Sequence, residues 1–183
     1  MPHDVIAATE KLLDRSYLLA GSQRQQTAAE ALQDLGLDSI PEIEEWVLAG
    51  TLPLGIDVDT SDLDILVSSR DPKAARDAVV ECFSQAPGLS VWPHSREEET
   101  WCVAFEGDAF PIEFFIQQTP VREQRAFRHL VAEYVLLQRG GPVLAEQVHQ
   151  LKVSGMKTEP AFAHALGLEG DPYLALLDEG LLA

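Results

Sequence analysis

The run Ser61-Asp62-Leu63-Asp64-Ile65-Leu66-Val67 constrains this chain more than any other stretch. Successive side chains on a strand point to opposite faces, so Leu63, Ile65 and Val67 share one face and Asp62 and Asp64 the other. The middle of the chain is therefore committed to a sheet with one buried side. Two carboxylates side by side at the start of a strand repel each other. A divalent cation removes the repulsion, and hard oxygen donors suit Mg²⁺ or Mn²⁺; the structural alternative is a solvated edge or an N-terminal cap. The acids that begin at Asp57 do not make a calcium loop, because the position that requires glycine is Asp62 and the closing position is Ser68 rather than a glutamate.

The elements around this strand alternate in type without a regular βαβ repeat. Apolar residues recur at helical spacing over 5–18 and again over 27–35 before Gly36. A first strand is expected over 43–49, followed by a Gly-, Pro- and Asp-rich loop from Gly50 to Ser61. Asp71-Pro72 opens a helix reaching about residue 85. Strands follow at 89–92, 100–106 and 110–117, the last two joined at Gly107-Asp108 as an antiparallel hairpin. From Val121 the period returns to that of a helix, broken at Gly140-Gly141 and restarted at Pro142, with short helices opened by Glu159-Pro160 and Asp171-Pro172. The expected class is α+β, a mixed sheet flanked by helices, with N-terminal helices and a helical C-terminal tail. We expect one domain over 1–183, with helices in 1–42, the sheet core in 43–118 and a helical part in 119–183. Trp46, Trp92 and Trp101 are expected in the core, and Cys82 and Cys102 as buried or half-buried free thiols.

Glu113 is an acid within the apolar strand Pro111-Ile112-Glu113-Phe114-Phe115-Ile116. Acids seldom stand there without a partner. Were its strand beside that of Asp62, three carboxylates would converge on one face; a salt bridge to a later arginine is the alternative. Thirty acids against thirteen bases give a net charge of −17, which argues against a general nucleic-acid coat or a basic membrane binder. Bases nevertheless concentrate at Arg122, Arg125, Arg128, Arg139, Lys152 and Lys157. Arg122, Arg125 and His129 are expected on the helix side opposite Phe127 and Tyr134, either as a solvated face or as an anion site over the carboxylates, where arginine grips phosphate bidentately. Lys157 marks either a second local anion site or a helix cap.

A glycine and a small hydroxyl residue after a strand, then an Asp-x-Asp strand, then a lone acid on a later strand, resemble the polymerase-beta-like nucleotidyltransferase superfamily. The resemblance implies that Gly50 and Thr51 cradle nucleotide phosphates, and that Asp62, Asp64 and Glu113 are the catalytic carboxylates that hold two metal ions. The runs GTLPLGIDVDTSDLDILV, PIEFFIQQTPV and LKVSGMKTEPAFAHALGLEGDPYLALL resemble, more narrowly, an uncharacterised family grouped with that superfamily. The chain departs from the superfamily at Leu52-Pro53-Leu54, apolar where active members often carry polar or basic residues.

The expected function is a Mg²⁺- or Mn²⁺-dependent nucleotidyl transfer from an NTP to an unidentified acceptor, a small molecule or a protein. The alternatives are a metal-dependent phosphohydrolase on the same carboxylates and a catalytically inactive interaction protein, to which the apolar loop would offer a partner surface. Neither a signal peptide nor a run of about eighteen apolar residues is evident, so a cytoplasmic location without membrane attachment is expected.

Overall fold

The computed structural model describes residues 2–95, 97 and 99–183. Five strands, β1 (Glu45–Ala49), β2 (Leu63–Ser68), β3 (Ser90–Pro93), β4 (Trp101–Glu106) and β5 (Pro111–Gln117), form one sheet in the order β1-β2-β5-β4-β3. β2 and β5 run parallel, whereas β1 with β2, β4 with β5 and β3 with β4 are antiparallel, so the sheet is mixed. This is the α+β arrangement expected from the alternation of element types.

Residue parity sorts the two faces. Leu48, Leu63, Ile65, Val67, Val103, Ile112, Phe114 and Ile116 turn to a core shared with Ala28 and Leu32 of α2 (Gln23–Asp34) and Ala75 and Val79 of α3 (Pro72–Cys82). On the opposite face, Val47, Ala49 and Leu66 meet Val5, Ala8 and Leu12 of α1 (His3–Leu13) and Phe127, Leu130 and Val131 of α4 (Arg125–Val153). A third apolar cluster joins Ile56 of the Gly50–Ser61 loop to α4, to Phe162 of α5 (Thr158–Leu166) and to Leu176, just after α6 (Pro172–Ala175).

Several boundaries depart from the periodicity for local reasons. Over 5–18 the helix stops at Leu13, because Asp14 leaves helical backbone and its carboxylate accepts from Ser16 N, starting a 3₁₀ turn over Arg15–Ala20. α2 begins earlier than its apolar pattern, at a capping box in which Ser22 and Gln25 satisfy each other's backbone N–H. Val121 lies in a 3₁₀ turn, not in the helix; α4 starts only at Arg125, after the Gln124 amide donates to Val67 O and Thr119 O at the strand ends. Gly141, at φ 63° and ψ −162°, divides α4 into 125–140 and 142–153, as the Gly140-Gly141-Pro142 run requires. Trp92 and Cys82 are exposed rather than in the core: β3 is an edge strand whose four residues all face solvent. Among the described residues, no helix is long and apolar enough to cross a membrane.

A candidate carboxylate site at the start of two parallel strands

Because β2 and β5 are adjacent and parallel, Asp64 stands directly beside Glu113 in the register. Equal parity turns both carboxyls to the same face, and Asp62, one residue before β2, joins them. One carboxylate oxygen from each of the three lies within 4.8 Å of the others. Burial and this crowding act together on protonation. Burial, reinforced by Asp62 and Glu113, pushes the Asp64 carboxyl up to about 8. Burial and then Asp62 raise that of Glu113. Gly50 lies against this cluster from the end of β1, where Ala49 pairs with Asp64. Its φ is +73°, and a Cβ there would collide with Asp64 Oδ2. Glycine is required twice over, by the backbone and by the carboxylate.

The loop after Gly50 is folded inward. Leu54 N donates to Thr51 O and Gly55 N to Leu52 O, a tight turn, while Gln25 of α2 donates to Leu52 O at 2.9 Å. Arg24 of α2 pairs with Asp57 at 2.6 Å and also donates to Val58 O. Leu52 is fully buried in the core beneath the sheet, and Leu54 packs between the other two apolar clusters. The apolar loop thus turns largely inward, with Leu52 a core residue and Leu54 half-buried. Thr51 is itself buried, with Oγ1 3.2 Å from Ser61 Oγ.

The basic residues do not gather at one place; Arg139, for one, pairs with Asp4 of α1. Arg122 and Arg125 are exposed where the chain leaves β5, and Arg125 lines a groove with Gln117, Thr119 and Glu97. Gln117 is four residues along the strand from Glu113, about 13 Å, so these arginines stand at the other end of β5 and do not join the carboxylates. His129 does not share their exposed face. It is buried, turned toward Glu133 of α4 and Glu159 of α5, and burial, reinforced by Arg125 and Arg128, brings its imidazole down to about 4. Lys157 is exposed at the N-cap position of α5, and its side chain makes no capping bond. The cation whose charge reaches Asp64 is Lys152, which lowers that carboxyl against the acids and also acts on the buried Glu133. Lys152 Nζ donates to Thr158 Oγ1 at 3.0 Å. In the sequence Lys152 is one base among several; it stands on the half of α4 after the break at Gly141, whose direction in space no periodicity gives.

Residues 30–179 match the family model described as a domain of unknown function, DUF4269. No curated protein matches the sequence. Among solved structures, the chain is similar to Cid1, described with its RNA terminal uridylyl transferase activity, at 16% identity and a TM-score of 0.56, over 72% of this chain and 41% of that one. It is similar to a cytoplasmic RNA terminal U-transferase at 14% identity and 0.57, over 82% and 47%. A third likeness is to mtPAP in complex with GTP, at 14% identity and 0.50, over 83% and 38%. At these identities the likeness is one of fold, and the chain spans less than half the length of each of these structures.

Proposed function

We propose, for a chain that belongs to the DUF4269 family and has the nucleotidyltransferase-like fold, that it moves a nucleotidyl group from an NTP to an acceptor hydroxyl on a small molecule or a protein. The observation that carries this reading is the Asp62–Asp64–Glu113 cluster, three carboxylates within 4.8 Å on one face of two parallel strands. Crowding them brings no structural gain, since Asp62 and Glu113 raise the cost of ionising Asp64, and Asp62 that of Glu113. Hard oxygen donors of this kind fit Mg²⁺ or Mn²⁺, the metals we assign to Asp62, Asp64 and Glu113. When bound, such cations would neutralise charge on the reacting phosphate.

The chain's own groups have separable roles in the transfer. The acceptor oxygen bonds to the α-phosphorus, the bond to the β-phosphate breaks, and pyrophosphate leaves. Glu113, half-buried with its carboxyl raised, would take the proton of the acceptor hydroxyl. Gly50 borders Asp64 with no side chain, so the backbone N–H groups of Gly50 and Thr51 would meet the phosphates. Lys152 would offset polyphosphate charge from the α4 side, as it already does for Asp64. Lys157 would extend that positive side, whereas Arg122, Arg125 and His129 have no part in it.

Incubation with each NTP, Mg²⁺ and a panel of hydroxyl-bearing acceptors distinguishes the outcomes. Transfer releases pyrophosphate and labels the acceptor from the α-phosphate; hydrolysis labels none. Asp64→Asn should abolish release. A wild-type protein that releases neither pyrophosphate nor phosphate would overturn the reading.

A further inference from the structure

A second cluster of ligating side chains lies between α4 and α5. His129 and Glu133 are four residues apart on α4, so they project from one side of the helix, and Glu159, in the first turn of α5, meets them. One ligating atom from each of the three lies within 4.8 Å of the others. His129 is only 5% exposed and Glu133 only 4%. Yet neither His129 Nδ1 nor Nε2 has a hydrogen-bond partner, and neither does Glu133 Oε1. The Tyr173 ring, edge-on to the imidazole at 6.1 Å, flanks it from α6. Buried polar atoms are nearly always partnered, and here three of them are orphaned within one cluster. An apolar set would fill this space better than a histidine and two acids if packing alone were needed.

The donor chemistry differs from that of the Asp62–Asp64–Glu113 cluster. Mg²⁺ and Ca²⁺ prefer all-oxygen donors, whereas an imidazole nitrogen with two carboxylates suits a first-row transition dication. Zn²⁺ accepts one imidazole and two carboxylate oxygens while leaving a position for water. We propose that His129, Glu133 and Glu159 form a separate Zn²⁺ centre. A cation there would give the orphaned imidazole and carboxylate the partners they lack and would tie α5 to the first half of α4. Lys152 acts on both Glu133 and Asp64, and Glu159 likewise raises both, so the centre is electrically coupled to the carboxylate cluster while using none of its ligands.

The full chain, stripped of metal with a chelator and dialysed, is titrated with ZnCl₂ by calorimetry in excess Mg²⁺, and bound metal is counted by elemental analysis. Wild type should bind one Zn²⁺ per chain, with Mg²⁺ failing to displace it. Asp64→Asn should retain that ion, whereas Glu133→Gln and Glu159→Gln should each weaken it at least tenfold. Glu159 is the less buried ligand, so its variant reports even if Glu133→Gln does not fold. The proposal is overturned if wild type binds no Zn²⁺, if Mg²⁺ displaces the ion, if both glutamine variants bind as wild type does, or if Asp64→Asn alone loses it. Failure of NTP turnover leaves this centre unaffected, because it rests on other residues.

Discussion

Gly50 and His129 are the residues at which local physics is most demanding. At Gly50 a side chain meets two obstacles, a φ of +73° and the Asp64 carboxylate in the place a Cβ would occupy. The backbone conformation alone costs a non-glycine residue about 1–2 kcal/mol, and the displaced Asp64 then leaves the register of the carboxylates. Gly50→Ala should therefore lower the unfolding free energy by at least that amount in urea titration and weaken metal binding more than Gly55→Ala, because Gly55 shares the positive φ but has open space around it. At His129 the sign follows from burial. An imidazole held at about 4 in the folded chain takes its proton near 6.5 when unfolded. Its neutral form thus contributes stability fully above pH ~6.5, and that contribution is lost as pH falls toward about 4. Arg125 and Arg128 on its own helix push in the same direction; Glu133, Glu159 and the Tyr173 ring also face it. Melting temperatures of the metal-free protein should fall more for wild type than for His129→Asn as pH is lowered from about 7 to about 4.5; equal falls would refute this.

Elements carry these residues to their positions, and the parallel β2–β5 pair does most for the site. Its register alone sets Asp64 beside Glu113. The loop between β1 and β2 is held by α2, through Gln25 to Leu52 O and Arg24 to Asp57, with Leu52 sunk into the core as an anchor. Leu52→Ala should cost about 2–5 kcal/mol of stability, the usual range for a buried leucine, measured by urea unfolding. A near-neutral value would mean that the loop is a surface device after all. Alternation made the strands legible in the sequence, and the same period of two put Asp62, Asp64 and Glu113 on one face once the strands were neighbours. What alternation cannot supply is which end of the sheet a following helix meets. Arg122 and Arg125 fit an anion site by charge, but the 3₁₀ turn at Val121–Glu123 and the Gln124 amide bonds seat them at the far end of β5. His129 fell on a helix face that spacing marks as polar, yet α5 and α6 cover it. Lys152, whose charge acts on Asp64, stands on the half of α4 that follows the break at Gly141.

At the scale of the whole molecule, a chain of net charge −17 surrounds its carboxylate site with a repulsive field for polyanions. An NTP would have to enter with its charge already offset, by a cation on Asp62, Asp64 and Glu113 and by Lys152 at the α4 side. Metal and nucleotide are therefore expected to bind with positive coupling, each raising the affinity of the other by the same factor. That dependence also separates the site from a merely acidic patch, which would take up cations weakly and nucleotides not at all. The chain spans less than half the length of the solved nucleotidyltransferases it is similar to, so nucleotide binding by this chain, rather than polymerisation, is the property to measure. Calorimetric titration of each NTP, with and without Mg²⁺, into wild type and Asp64→Asn is the most direct test. Wild type should bind at least one NTP only when Mg²⁺ is present, and Asp64→Asn, still folded, should bind none; NTP binding that ignores both Mg²⁺ and the loss of Asp64, or a wild type that binds no NTP, would refute a metal-dependent nucleotide site at these carboxylates.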